Sequence, residues 1–137
     1  MRDKFIETLS LAVKNNPNII LITGDLGFGV LDNFKEKYPN NFINAGVAEQ
    51  NMTGIAAGLA FEGKIVFTYS IANFPTMRCF EQIRNDICYH NADVSVVTVG
   101  AGFSYGQLGV SHFATEDIAI LRAIPNITIV SPSDPWE

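Results

Sequence analysis

Ile19-Ile20-Leu21-Ile22-Thr23-Gly24-Asp25 is the stretch that decides the fold of this 137-residue chain. Its unbroken run of aliphatic and β-branched residues predicts a strand buried on both faces, and Gly24 marks the turn that ends it. Such strands belong to parallel sheets that carry helices on each side. Similar runs occur at Ile65 to Thr68, Val94 to Val99 and Ile127 to Val130, with a weaker one at Phe42 to Asn44.

Helical patterns alternate with these strands along the chain. Alternation with short links implies crossover connections between parallel strands. The sequence therefore predicts a single α/β domain over residues 1–137, with three layers (αβα) and a mostly parallel sheet. In such folds ligands bind beyond the carboxyl ends of the strands. The predicted helices are Phe5 to Lys14, Val30 to Lys37, Ala48 to Phe61, Thr76 to His90 and Glu116 to Arg122.

The composition argues against several classes of function. The net charge is -5, and the nine lysines and arginines form no cluster, so we expect no nucleic-acid partner. The N-terminus lacks the apolar core of a signal peptide, and no stretch is long and apolar enough to span a bilayer, so we expect a cytoplasmic protein without membrane contact. Two histidines and two cysteines without ligand spacing support no metal site within the chain.

The C-terminal segment Ser131 to Glu137 carries the signals of a helix start. Ser133 or Asp134 fits an N-cap, and Pro135 fits the first turn. No helix follows in the sequence. We therefore expect a fragment that lacks the last helix and strand of its domain.

Glu49 is the candidate site residue that stands out. In a helix from Ala48 to Phe61, Glu49 starts the face that continues through Met52 and Ala56, which is the buried face. A buried carboxyl needs a hydrogen-bond partner and often handles protons. The alternative is a solvent-facing acid favoured by the helix dipole, and the position alone leaves both interpretations open.

Three loops after predicted strands hold further candidates. The turn from Thr23 to Gly29 is rich in glycine and contains Asp25. In the second loop, Asn73 fits a helix cap, and Phe74 fits either a stacking partner for a flat heterocycle or a plug of the core. The long stretch from Gly100 to Ala114 includes His112, which alone is more typical of a structural histidine.

Five motifs, taken in order along the chain, resemble those of one family. They are Gly24-Asp25-Leu26, Gly46-Val47-Ala48-Glu49-Gln50, Phe80-Glu81-Gln82-Ile83-Arg84-Asn85-Asp86, Gly109-Val110-Ser111-His112 and Leu121-Arg122-Ala123-Ile124-Pro125-Asn126. The sequence is similar to the pyrimidine-binding domain of transketolase-type thiamine diphosphate enzymes, over Phe5 to Asp134. The similarity is greatest to the separate C-terminal subunit of split transketolases, and lower to deoxyxylulose-phosphate synthase and the pyruvate dehydrogenase beta subunit.

The resemblance implies roles for individual residues. Glu49 corresponds to a catalytic glutamate that hydrogen-bonds a ring nitrogen of the aminopyrimidine and, by sharing a proton, favours the tautomer that activates the cofactor. Phe74 corresponds to an aromatic that packs on this ring. Asp25 and Leu26 correspond to the turn that approaches the cofactor.

The substrate side is less well matched. The loop from Ser104 to His112 corresponds to the loop near the substrate channel of the family. Ile71 stands where many two-domain transketolases carry a second cofactor aromatic. Gly100 falls near the position of a substrate-binding histidine, so the resemblance does not identify the sugar.

The resemblance also implies a partner. In the family, a Gly-Asp-Gly motif with a downstream Asn on another domain holds the diphosphate and Mg²⁺, and Gly24-Asp25-Leu26 is not that motif. We therefore expect a diphosphate-binding subunit or domain, a homo- or hetero-oligomer that is at least a dimer, and an inactive isolated chain. The resemblance also implies that this chain lacks the C-terminal domain of the family.

The expected function is transfer of a two-carbon ketol group between sugar phosphates. The alternatives are a deoxyxylulose-phosphate synthase-like or 2-oxo acid decarboxylase or dehydrogenase component, and a non-catalytic module for dimerisation or ligand binding.

Overall fold

A parallel sheet of four strands forms the centre of the computed structural model, which describes all 137 residues. The strand order is β2-β1-β3-β4, and every neighbouring pair is parallel. The middle strand β1 is buried along its whole length, as its apolar run predicts. The strands are β1 (Ile19–Thr23), β2 (Phe42–Asn44), β3 (Ile65–Ile71) and β4 (Val94–Val99).

Helices cover both faces of this sheet. On one face α1 buries Ile6, Leu9 and Val13 in a cluster with Leu21 and Phe34, and on the other α3 packs against β1 and β3. The predicted three-layer α/β fold is therefore confirmed. The helices are α1 (Arg2–Asn15), α2 (Asp32–Lys37), α3 (Glu49–Phe61), α4 (Asn73–Thr76), α5 (Phe80–Gln82), which continues as a π-helical turn (Ile83–Cys88), and α6 (Asp117–Leu121), with short 3-10 turns at Pro39–Asn41, Gly106–Leu108 and Val110–His112.

The predicted strand at Ile127 to Val130 is wrong. This segment is irregular and donates no backbone hydrogen bond to another strand. Half-buried Ile127 and Ile129 alternate with exposed Thr128 and Val130, so only one side of this segment packs against the rest of the protein. An apolar run forms a sheet strand only where a neighbour satisfies its backbone groups.

The single helix predicted from Thr76 to His90 is also wrong. After α4 the chain makes a turn, and Cys79 departs from helical geometry with φ -108 and ψ 16. Beyond α5 the Tyr89 N–H bonds the Arg84 carbonyl at 3.0 Å, five residues back, which is the π-helical spacing. The break places Arg78 on a turn near the edge of the sheet.

The strand connections reverse direction at the carboxyl ends of β1 and β3. The chain leaves β1 through α2, whose Phe34 packs on the face of α1. It leaves β3 towards α5 and the π-helical turn, whose Ile83 and Ile87 pack with Ala57 of α3 on the opposite face. Connections that depart to opposite faces create the topological switch point where ligands bind in such sheets.

Candidate functional site

Glu49 lies at this edge of the sheet and begins α3. It is 2% exposed, which settles the open question in favour of the buried interpretation. Gly24, at the end of β1, lies against it, because a Cβ on Gly24 would stand 3.5 Å from Glu49 Cγ. The Glu49 carbonyl accepts a hydrogen bond from Thr53 Oγ1 at 2.9 Å. The carboxyl group is thus held between the start of α3 and the turn after β1.

Arg78 is the partner of this buried carboxylate. Its Nη1 donates to Glu49 Oε2 at 2.7 Å, while Oε1 accepts no hydrogen bond from the chain. The guanidinium also lies over the Phe74 ring, 4.7 Å from the centroid. Since one small planar group contacts both, the carboxylate and the aromatic ring border the same space. Sequence reasoning missed Arg78, although the requirement of a buried carboxyl for a partner was a signal that could have led to it.

Phe74 and His112 meet at the same edge. Their ring centroids are 5.1 Å apart with an interplanar angle of 68°. The predicted helix cap at Asn73 is not formed, because the Asn73 side chain instead donates to the Ser111 carbonyl. This bond ties the loop from Gly100 to Ala114 to α4. Ser111 Oγ lies 3.0 Å from His112 Nδ1. The structure therefore brings His112 against Phe74, whose ring in turn contacts the Arg78 guanidinium that bonds Glu49.

Asp25 supports this site from the side. It adopts a left-handed backbone conformation with φ 59, which is uncommon for a residue other than glycine. Its Oδ1 accepts from Asn44 Nδ2 at 2.8 Å, and Asn44 Oδ1 accepts from the Gly46 N–H at 3.0 Å. These bonds tie the turn after β1 to the turn that leads into α3.

Leu26 and Ile71 lie apart from Glu49 and Phe74. Both line a small cavity of about 80 Å³ together with Tyr105. Gly100 has φ 82, and a Cβ there would clash with the Tyr105 ring. A side chain at position 100 is therefore excluded while Tyr105 fills this space. His112 lies between this cavity and Phe74, since its ring is 6.4 Å from that of Tyr105 and also contacts the Phe74 ring.

Ser104 makes only a local contact. Its hydroxyl donates to the Ala101 carbonyl at 2.7 Å within the turn that opens the long loop. This loop is closed at its base by paired backbone hydrogen bonds between Gly102 and Ala114. The loop is thus an ordered structure that presents His112 at one end.

Several small polar side chains lie in the interior of the protein. Thr53, Thr68, Ser70 and Thr76 are all buried, and the hydroxyls of Thr68 and Ser70 have no hydrogen-bond partner. Burial raises the pKa of the nearby Cys79 thiol, and Glu49 raises it further, against the lowering effects of Thr53 and Arg78. The thiol therefore stays protonated at neutral pH.

A family model described as the pyrimidine-binding domain of transketolase matches residues 1–137. The chain belongs to this family. Family membership confirms the resemblance found in the sequence, and this family implies the use of thiamine diphosphate.

Similar proteins agree with this assignment. A Methanocaldococcus jannaschii protein that bears the name transketolase C-terminal section is 45% identical over 135 residues, covering 98% of this chain and 43% of that protein. A 1-deoxy-D-xylulose-5-phosphate synthase of Microcystis aeruginosa is 41% identical, covering 97% of this chain and 21% of the synthase. The solved structure of a split-gene transketolase, an inactive β4 tetramer, has a TM-score of 0.84 and 38% identity, covering 98% of this chain and 43% of that one. The chain thus spans less than half the length of these relatives.

The residues at the site fit the aminopyrimidine of this cofactor. An unpartnered carboxyl oxygen of Glu49 and the ring of Phe74 border one space, and an aminopyrimidine has a polar edge that needs a hydrogen-bonding partner and a flat face that stacks on an aromatic ring. No group of three or more His, Cys, Asp or Glu side chains is arranged to hold a metal ion. No helix of the protein has the length and apolar character needed to cross a membrane.

Proposed function

We propose that this chain is the pyrimidine-binding part of a thiamine diphosphate-dependent enzyme that transfers a two-carbon ketol group between sugar phosphates. The observation that carries the proposal is the buried Glu49 carboxylate beside Phe74, at the switch point of a transketolase-family domain. When bound, the cofactor supplies a nucleophilic carbon for the cleavage and formation of the bond beside a ketone.

Each residue of the site has a role in this proposal. Glu49 forms a hydrogen bond with a pyrimidine ring nitrogen, in which the carboxyl group and the nitrogen share one proton, and Phe74 stacks on the ring. Asp25 fixes the turn that approaches the cofactor, through its bond to Asn44. His112 faces the substrate from the long loop. In this proposal the four residues position the cofactor and the substrate and share a proton with the cofactor ring, while the bond-breaking chemistry belongs to the cofactor.

Other groups border the site at a greater distance. Leu26 and Ile71 flank the cofactor from the neighbouring small cavity, which Tyr105 closes. Ser104 belongs to the substrate-side loop without a contact to Glu49.

A partner subunit or domain completes the enzyme in this proposal. It holds the diphosphate and Mg²⁺, because the Gly24-Asp25-Leu26 turn lacks the residues of the family's diphosphate motif. The site then lies between subunits of an enzyme that is at least a dimer, and the isolated chain is inactive. The unpaired cysteines, Cys79 and Cys88, are in keeping with a cytoplasmic enzyme.

Reconstitution tests the proposal directly. The complete subunit that contains this chain is mixed with its diphosphate-binding partner, and ketol transfer between sugar phosphates is measured. Glu49→Ala should lower turnover by about 100-fold or more, the usual contribution of a proton-transfer group. Glu62→Ala, an exposed acid at the other end of α3, is the matched control. Turnover of Glu49→Ala within a few-fold of wild type would refute the role of Glu49.

A second reaction shares the same cofactor. The 41% identity to a deoxyxylulose-phosphate synthase favours testing pyruvate with glyceraldehyde 3-phosphate, and other 2-oxo acids, on the reconstituted enzyme. Turnover of these substrates alone would replace ketol transfer as the reaction. Calorimetry that detects no thiamine diphosphate binding by the assembled protein would instead favour a non-catalytic module.

A further inference from the structure

Arg78 occupies the space between the two groups that would receive the pyrimidine. Its guanidinium donates to Glu49 Oε2 at 2.7 Å and lies over the Phe74 ring at 4.7 Å. A guanidinium is planar, carries N–H donors at its edge and stacks on aromatic faces. These are the contacts that an aminopyrimidine ring would make with the same carboxylate and the same ring.

Building on the proposed function, we propose that Arg78 is a displaceable occupant of the pyrimidine pocket. It closes the pocket in the absence of cofactor and leaves when thiamine diphosphate binds. The guanidinium covers a face of the Phe74 ring and holds one oxygen of the Glu49 carboxylate. A pyrimidine ring that stacks on this face beside Glu49 therefore requires that the ion pair opens.

The position of Arg78 suits such a movement. It lies on the turn between α4 and α5, outside both helices, and its side chain is 47% exposed. The bond to Glu49 is its only hydrogen bond in the protein. A long side chain at the surface can exchange one staggered conformation for another and place its charge in water.

The buried carboxylate of Glu49 requires a charged or hydrogen-bonding partner even when no cofactor is bound. Glu49 is 2% exposed, and a buried charge without a partner is costly. Arg78 supplies the partner in the empty pocket, and the cofactor ring takes its place on binding. The binding affinity for cofactor is then reduced by the fraction of molecules in which Arg78 holds the pocket.

The test compares thiamine diphosphate binding by Arg78→Ala and wild type, each as the complete subunit assembled with its partner and Mg²⁺. Calorimetry should show a dissociation constant about three- to tenfold lower for Arg78→Ala, as expected for release of a half-exposed ion pair that masks a site. Arg84→Ala is the matched control, since Arg84 is exposed and bonds Asn85 rather than Glu49. Its dissociation constant should equal that of wild type.

An unchanged or higher dissociation constant for Arg78→Ala would overturn the proposal, because Arg78 would then support the bound state. If Arg78→Ala does not fold, Arg78→Lys gives the same comparison with less tightening, since lysine keeps the charge and loses the planar stack. A crystal structure of the wild-type complex with thiamine diphosphate is independent of any variant. Arg78 still bonded to Glu49 in that structure also overturns the proposal. Absence of cofactor binding by wild type instead refutes the proposed function, and this inference with it.

Discussion

Glu49→Gln separates the contribution of the buried carboxylate to stability from its contribution to chemistry. The charge-assisted hydrogen bond to Arg78 would be worth about 1.5–3 kcal/mol if it were fully buried. Arg78 is 47% exposed, however, so screening reduces this value to about 1 kcal/mol. The amide has the size of the carboxyl and can still accept the Arg78 hydrogen bond.

The desolvation of the carboxylate acts in the opposite direction. An ionised carboxylate that is 2% exposed has lost hydration worth several kcal/mol, and a neutral amide avoids most of this cost. The two effects nearly cancel for Glu49→Gln. We therefore expect the free energy of unfolding to change by no more than about 1 kcal/mol.

Turnover should respond very differently. An amide cannot share a proton with a ring nitrogen, so ketol transfer by the reconstituted enzyme should fall by about 10²- to 10⁴-fold. The assay pairs urea unfolding of the subunit with steady-state turnover, and Glu62→Gln serves as the exposed control. Turnover within about fivefold of wild type, or a loss of more than about 3 kcal/mol of stability, would show that Glu49 is a structural residue.

Three further perturbations test other parts of the structure. In a calorimetric titration, Phe74→Leu should raise the dissociation constant for thiamine diphosphate about two- to tenfold, because the stacking contact is lost. The control is Phe61→Leu, at the end of α3, where the ring packs on a histidine. This variant should leave the dissociation constant unchanged. Burial raises the pKa of the Cys79 thiol above its ordinary value of 9.0. As the pH rises, the Cys79 thiol therefore loses its proton in the unfolded chain before it does so in the folded one. The free energy of unfolding, measured with urea, should keep the full contribution of this group below about pH 9 and decrease above it. In Cys79→Ala this decrease should be smaller. Gly100→Ala, with φ 82 and an aromatic ring against the new methyl group, should cost about 1–3 kcal/mol of unfolding free energy in the same assay, whereas Gly58→Ala, in open space on α3, should add about 0.5–1 kcal/mol.

The sheet could be predicted from sequence because its signal is local. A strand buried on both faces needs a continuous apolar run, as β1 has, and both β1 and the half-buried edge strand β4 begin and end where the sequence predicts. The same signal failed at Ile127 to Val130, since a run of apolar residues does not reveal whether a neighbouring strand will pair with it. The helix from Thr76 to His90 failed for a related reason. Periodicity indicates which residues face the core, but not where a turn or a π-helical spacing interrupts the helix.

Only part of the site could be predicted from the sequence. Glu49 could be identified from its sequence neighbours, whereas its partner Arg78 is distant along the chain. Glu49 follows from the phase of one helix, which is information contained within a dozen residues. Its partner Arg78 is 29 residues away and approaches only because β3 and the turn after α4 return to the edge where α3 begins. Burial of an acid nevertheless demands a cation or a donor somewhere in the fold, so a search among the nine basic residues was open to sequence reasoning.

The ion pair between Glu49 and Arg78 also defines what this half of the site contributes. Its acid comes from the buried start of a helix and its cation from a half-exposed side chain on a turn, so the core fixes one partner and leaves the other at the surface. In the proposed displacement, the pocket has its carboxyl group and its aromatic ring in place before the cofactor arrives, and the charge is balanced by a residue that the cofactor replaces. Affinity is lowered by that competition, but the buried carboxylate never remains without a partner. The cost of keeping an acid inside the protein thus accounts for the arginine beside it.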